Sequence, residues 1–186
     1  MNLKNLFIDN SWSLFLDRDG VINKRIIGDY IKRWEEFEFL PGVLEALEDL
    51  TNIFGKIFIV TNQQGIGKGL MTEIDLENIH EQMMLKIRSY GGRVNKIYYS
   101  PYRAEEKSVF RKPNPGLARK AKIDFSDIEF EKSIMVGDTI TDMQFGKNAG
   151  MKTVFISQDE ELLKENPELI DFVFPDLKSF ALAVTD

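Results

Sequence analysis

Short apolar runs that break off into polar clusters recur along this chain, and segments with helical spacing separate them. Ser13-Leu14-Phe15-Leu16 stops at Asp17-Arg18-Asp19-Gly20. Ile57-Phe58-Ile59-Val60 stops at Thr61-Asn62-Gln63-Gln64-Gly65, and Ser133 to Val136 stops at Gly137-Asp138, with Asp142 four residues on. Runs that are apolar at consecutive positions read as strands buried on both faces, the mark of a parallel sheet. Parallel strands need crossover connections. Val43, Leu44, Leu47 and Leu50, opened by Pro41-Gly42, have the spacing of one such helix. The alternation predicts a doubly wound parallel α/β sheet with helices on both faces. In such sheets ligands bind outside the carboxyl ends of the strands, where these clusters fall.

Taken in order, residues 1–12 are a lead-in in which Trp12 packs. Strands are expected over 13–17, 57–60, 94–99, 133–136, 153–156 and 172–174. Helices are expected from Gly42 to Gly55, over 73–89 behind a Thr72 cap, over 115–122, up to Ala149 where Gly150 ends the helix, and over 176–184, with a short acidic helix before the last strand. Ile74, Ile79, Met83 and Ile87 supply apolar positions of the second long helix. Gly65-Ile66-Gly67-Lys68-Gly69 resembles a phosphate loop but has Gly69 where that motif needs Ser or Thr, so it reads as a flexible connection. Residues 20–39 form a loop in which Tyr30, Trp34, Phe37 and Phe39 either pin it to the core or face a ligand. His80, alone on its helix, is assigned no role. One domain spanning 1–186 is expected.

Composition narrows the chemistry. The 186 residues contain no cysteine and one histidine, so thiolate or histidine-cluster metal sites and a Ser-His-Asp triad are excluded. A bound metal would be held by oxygen, which favours Mg²⁺. The net charge of −6 argues against a nucleic-acid footprint. No run reaches membrane-spanning length and the start lacks a signal-like apolar core. A cytoplasmic, monomeric protein acting on a small molecule, without nucleic acid or membrane partners, is expected.

Each cluster has a bland and a functional reading. Asp17 and Asp19 could face one way with Arg18 opposite, forming an acidic turn or a cation site. Asp138 and Asp142 could simply favour a helix N-terminus. Arg111-Lys112 is an ordinary solvated pair unless Pro113 and Pro115 fix it for a purpose. Together they suit phosphoryl transfer, with carboxylates for Mg²⁺, a threonine and a lysine for a tetrahedral anion, and an aspartate as nucleophile.

The ordered set Leu16-Asp17-Arg18-Asp19-Gly20-Val21, Val60-Thr61-Asn62, Lys112-Pro113 and Val136-Gly137-Asp138 with Asp142 resembles the four motifs of the haloacid dehalogenase (HAD) superfamily of phosphatases. The resemblance implies an Asp17 nucleophile, an Asp19 acid–base, and Mg²⁺ held by Asp17, the Asp19 carbonyl and Asp138. It also implies phosphate contacts from Thr61 and the Asn62 amide, a charge-balancing Lys112, and Asp142 supporting the metal waters or orienting Lys112. D-R-D-G-V-I-N, Asp29-Tyr30-Ile31, Phe37-Glu38-Phe39, Thr61-Asn62-Gln63-Gln64-Gly65-Ile66, Arg111-Lys112-Pro113 and Asp142-Met143-Gln144 are similar to the histidinol-phosphate and heptose-bisphosphate phosphatase branch. This likeness makes Gln63, Gln64 and Arg111 candidate substrate contacts. It implies a D-glycero-D-manno-heptose 1,7-bisphosphate substrate losing its 7-phosphate, with histidinol phosphate or another small phosphomonoester as the alternative. A non-enzymatic phospho-aspartate receiver fits less well, because the second strand ends in Thr61-Asn62 instead of an acceptor.

Two departures stand out. Ser100 to Phe110 contains none of the zinc ligands that many members carry before R-K-P, so this loop must be held by packing. Thr139 stands where the heptose enzymes often have lysine. The intervals Asp19–Thr61 and Gln64–Arg111 are already filled by elements, so no cap domain fits and the site should be open.

Overall fold

The computed structural model describes residues 3–157 and 160–185; the first two residues of the lead-in lie outside the described residues. Six parallel strands form one sheet in the order β3-β2-β1-β4-β5-β6. They are β1 (Ser13–Leu16), β2 (Lys56–Asn62), β3 (Lys96–Ser100), β4 (Ser133–Gly137), β5 (Lys152–Ile156) and β6 (Phe172–Phe174). The helices are α1 (Val43–Ile53), α2 (Gln64–Gly67), α3 (Glu73–Ser89), α4 (Gly116–Asp124), α5 (Ile140–Ala149), α6 (Glu160–Glu165) and α7 (Leu177–Thr185).

Strand side chains alternate between two cores, as the period of two demands. Leu14, Leu16, Ile57, Ile59, Ile134 and Val136 join the core that α1, α3 and α7 cover. Phe15, Phe58, Val60 and Met135 pack with Leu117, Ala118 and Ala121 of α4 and Phe145 of α5 on the other face. With both faces covered, the middles of the central strands (Leu14–Leu16, Ile57–Val60 and Ile134–Val136) are apolar at consecutive positions. Successive strands run outward from β1 through β2 to β3, then resume on its other side at β4. This puts the topological switch point between the ends of β1 and β4, where a crevice opens.

Several expectations are corrected in detail. The Gly65–Gly69 connection is not slack: Gln64–Gly67 forms one helical turn, and the Gly67 amide donates to the Pro101 carbonyl at 3.1 Å. Ile74 is 76 % exposed; the buried stripe of α3 is Leu76, Ile79, His80, Met83 and Ile87. Thr72 does cap α3, in a reciprocal capping box with Asp75. β3 begins at Lys96, two residues after Val94. Trp34 stacks on Phe37, Phe39 meets both edge-on, and the three pin the 20–39 loop to the core, while Tyr30 lines the crevice.

The Ser100–Phe110 loop is held by polar contacts more than by packing. Arg103 pairs with Glu105 and Glu106, Arg111 donates to the Tyr102 carbonyl, Asn114 to Ser108, and the Gly116 amide to Val109. Tyr102, Val109 and Phe110 remain exposed. Among the described residues no cap domain interrupts the sheet, and no helix is long and apolar enough to cross a membrane.

Candidate active site

Asp17 directly follows β1, and its amide donates to the Val136 carbonyl at 2.9 Å, so β4 fixes where the carboxylate points. Gly20 turns the chain away with φ +100°, and a Cβ there would lie 1.9 Å from Asp138 Oδ2. Gly137 is equally constrained: its Cβ would lie 2.2 Å from the Cβ of Asp142. The two glycines let the β1 and β4 carboxylates converge. Oxygens of Asp17, Asp138 and Asp142 all lie within 4.8 Å of one another.

Lys112 arrives from the loop before α4 and is buried. Its Nζ lies 2.7 Å from Asp17 Oδ1 and 2.6 Å from Asp142 Oδ1, and donates to the Val60 carbonyl at 2.8 Å. Asp142 accepts from the amide and hydroxyl of Thr139 in the capping box of α5, so the helix start aims its other oxygen at Lys112. Asn62 ties the end of β2 to the same lysine: its side chain donates to the Lys112 carbonyl and accepts from the Lys112 amide, each at 3.1 Å. The Asn62 side-chain amide is therefore a strut, and a phosphate contact by Asn62 is left to its main chain.

Asp19 is ringed by donors. Arg18 Nη2 reaches both carboxylate oxygens at 3.0 Å, Asn23 Nδ2 lies at 3.0 Å and Gln63 Nε2 at 2.8 Å. Arg18 does not face away, as strand alternation suggested; the chain leaves the strand at Asp17 and folds Arg18 back into the interior against Asp19. Gln63 is buried and also donates to the Thr61 hydroxyl at 2.8 Å, so its amide nitrogen braces Thr61 and Asp19. Gln64 and Arg111 line the mouth. Arg103, and not Arg111, pairs with Glu105 and Glu106.

One cleft of about 490 Å³ is lined by Asp17, Asp19, Thr61, Asn62, Gln63, Gln64, Arg111, Lys112 and Asp142; Asp138 joins it through the carboxylate cluster. Sequence reasoning missed Arg18, His80, Asn23 and Arg25. Arg25 stands in a loop with no regular spacing, and no local signal marks it.

Electrostatics follow the crowding. Burial, then the Asp142 charge, push Asp17 up to about 6 against the pull of Lys112. Burial and the Asp17 charge push Asp138 up to about 7. Asp19 moves the other way: burial opposes ionisation, but the Arg18 charge with the Asn23, Arg18 and Gln63 hydrogen bonds outweighs it and holds the carboxyl below its usual range. For Lys112, Asp142 and Asp17 overcome burial and keep the ammonium charged.

The donor set suits a hard cation. Arg25 Nη2 lies 2.8 Å from the Asp19 carbonyl, 2.8 Å from Asp138 Oδ1 and 3.8 Å from Asp17 Oδ2. A single cationic nitrogen thus meets two carboxylates and a carbonyl at once, an all-oxygen set of the kind Mg²⁺ takes.

Known proteins resemble this chain in sequence and in fold. An HAD-hydrolase-like family model matches residues 109–180. The D-glycero-alpha-D-manno-heptose-1,7-bisphosphate 7-phosphatase of Mycobacterium tuberculosis is 35 % identical over 175 residues, covering 94 % of this chain and 92 % of that protein. The D-glycero-beta-D-manno-heptose-1,7-bisphosphate 7-phosphatase of Helicobacter pylori is 35 % identical over 161 residues, 86 % of this chain and 87 % of that one. The crystal structure of D,D-heptose 1,7-bisphosphate phosphatase from B. bronchiseptica, complexed with magnesium and phosphate, superposes with a TM-score of 0.85 at 29 % identity, covering 94 % of this chain and 98 % of that chain. The chain belongs to the heptose-bisphosphate phosphatase family of the HAD superfamily.

Proposed function

We propose that this chain removes the 7-phosphate of a D-glycero-D-manno-heptose 1,7-bisphosphate through a phosphoryl-aspartate on Asp17. The observation that carries the reading is the meeting of Asp17, at the end of β1, with Lys112 and the Asp138–Asp142 carboxylates inside one open cleft. Asp17, the Asp19 carbonyl and Asp138 would hold Mg²⁺, which when bound supplies charge neutralisation for the phosphoryl oxygens.

In the first half-reaction an Asp17 oxygen attacks phosphorus. Arg18, Asn23 and Gln63 hold Asp19 ionised in the free fold, so it takes up its proton only with the phosphate dianion beside it; that proton passes to the sugar oxygen as its bond to phosphorus breaks. Lys112, fixed by Asp142 and the Val60 carbonyl, offsets the charge on Asp17 and the transferring group. The Thr61 hydroxyl holds a phosphate oxygen, and Gln63 fixes that hydroxyl. In the second half-reaction Asp19, now a carboxylate, takes a proton from water as it attacks phosphorus, releasing inorganic phosphate and restoring Asp17. Gln64 and Arg111 at the mouth face the rest of the sugar, where the arginine fork suits the second phosphate. Without a cap domain, the 20–39 loop and the bound substrate close the cleft.

The test compares phosphate release from heptose 1,7-bisphosphate, histidinol phosphate and p-nitrophenyl phosphate, with Mg²⁺ and with EDTA. The highest kcat/KM is expected for the heptose bisphosphate, with loss of the 7-phosphate alone, inactivation by EDTA and recovery with Mg²⁺. A higher kcat/KM for histidinol phosphate contradicts the substrate, and full activity in EDTA contradicts the metal.

A further inference from the structure

Arg18 lies between the two aspartates of the proposed chemistry and is fully buried. A guanidinium keeps its charge in a protein, and a buried charge needs partners for its donors. Nε and Nη2 reach the Asp19 carboxylate, at 3.3 Å and 3.0 Å. Nη1 lies 3.2 Å from Nε2 of His80, on α3. The His80 ring is itself buried and meets the ring of Tyr99, on β3, edge-on at 6.2 Å.

Arginine has no acceptor, so the contact requires Nε2 of His80 to accept. The proton must then sit on Nδ1, and the ring must be neutral. Its surroundings agree: burial first, then the Arg18 charge, lower the affinity of His80 for a second proton, to a pKa of about 3. His80 therefore holds a fixed lone pair at physiological pH and does not titrate there. Glu77 and Glu81 flank it along a groove between α3 and β3, and neither pairs with Arg18.

We infer that His80 is a positioning residue: it anchors one end of the Arg18 fork, and the other end sets the Asp19 carboxylate for proton transfer. The inference rests on the acid–base role proposed for Asp19. A planar fork held at both ends cannot swing. Removal of the His80 lone pair leaves Nη1 buried without an acceptor and lets Arg18 turn toward other partners, carrying Asp19 with it. Proton transfer requires hydrogen-bond reach between Asp19 and the ester oxygen, so orientation there is decisive.

Leaving-group chemistry separates this role from a general contribution to folding. A sugar alkoxide is strongly basic and needs the Asp19 proton as the P–O bond breaks. A p-nitrophenolate is weakly basic and departs without one. Rapid-quench measurement of the first half-reaction is therefore made on heptose 1,7-bisphosphate and on p-nitrophenyl phosphate for the wild type, His80→Leu, His80→Gln and Asp19→Asn.

His80→Leu is expected to slow the sugar ester on the order of tenfold or more, a part of the 10²–10⁴ that a positioned acid supplies. It should slow the nitrophenyl ester much less and leave KM little changed. His80→Gln, which keeps an acceptor, should recover most of the loss; His80→Ala replaces His80→Leu if that variant does not fold. Equal losses on the two esters, or equal behaviour of His80→Leu and His80→Gln, overturn the inference. Asp19→Asn separates the two levels: if it shows no leaving-group split, the acid–base reading of Asp19 fails. If it shows the split and His80→Leu does not, only the role of His80 fails.

Discussion

Replacement of Lys112 by methionine isolates the charge at the centre of the cleft. Methionine keeps an unbranched stem of similar length, so packing changes little while the ammonium disappears. In the native fold the Lys112 side chain is 3 % exposed, and its ammonium meets Asp17 at 2.7 Å, Asp142 at 2.6 Å and the Val60 carbonyl at 2.8 Å. Its removal leaves two buried carboxylates facing each other with no cation between them. Breaking a buried pair by removing one partner costs about 3–5 kcal/mol. For a chain of this size each kcal/mol lowers Tm by roughly 2–4 °C, so a fall of roughly 6–20 °C is expected near pH 8. The loss should shrink near pH 5, where Asp17, pushed up to about 6, can take up a proton and the repulsion goes. Thermal unfolding of both proteins in EDTA, followed by circular dichroism at the two pH values, reads the effect. A difference below about 2 °C near pH 8, or an equal difference at both pH values, would falsify the view that Lys112 holds the carboxylates together.

Arg111→Ala should raise KM for heptose bisphosphate far more than for p-nitrophenyl phosphate, by about 1.5–3 kcal/mol for a charge-assisted hydrogen bond; equal changes in steady-state kinetics would reject a substrate contact. Arg25 and a divalent ion are drawn to the same three oxygens, so Arg25→Ala should tighten Mg²⁺ binding, by up to about fivefold if the exposed arginine contributes about 1 kcal/mol. Calorimetric titration of the metal alone reads this, and an unchanged Kd means that the oxygens are not shared. Asp17 and Asp138 titrate at about 6 and about 7 in the fold, above their ordinary value of 3.8. Groups raised in this way stabilise the fold at low pH and lose that contribution as pH rises through 6 to 7, whereas Mg²⁺ needs the ionised carboxylates. The Tm rise on adding Mg²⁺ should therefore be larger near pH 8 than near pH 5.5; the reverse order in a melting series would refute the assignment of these two carboxylates to the metal.

The layout of the sheet was legible because strands buried on both faces are apolar at consecutive positions, as Ile57–Val60 and Ile134–Val136 are. The convergence of Asp17, Thr61 and Asp138 was legible for a related reason, since polar residues at the ends of such runs emerge at one edge of a parallel sheet; Lys112, in the loop before α4, was legible only through the Lys112-Pro113 motif. What escaped are contacts between residues far apart in sequence with no shared period. The burial of Arg18 depends on a lone acceptor 62 residues away on α3, and a single histidine on an amphipathic helix looks the same whether it serves a guanidinium or nothing. Arg25 reaches the carboxylates from an irregular loop. Ile74 was assigned to the core by residue type, but it lies off the stripe set by Leu76, Ile79 and Met83. Asn62 and Gln63 line the cleft, but nothing in their spacing shows that their side chains engage Lys112, Asp19 and Thr61.

The central claim is that the phosphoryl group passes through Asp17. Asp19→Asn should slow hydrolysis of the intermediate by removing the base that activates water. Acid quench of that variant during turnover of p-nitrophenyl phosphate, followed by peptide mass spectrometry, locates the group. The account predicts a hydroxylamine-labile phosphate on the peptide carrying Asp17, absent when Asp17 is also changed to Asn. Phosphate on any other residue, or turnover that persists in Asp17→Asn at the wild-type rate, would contradict it.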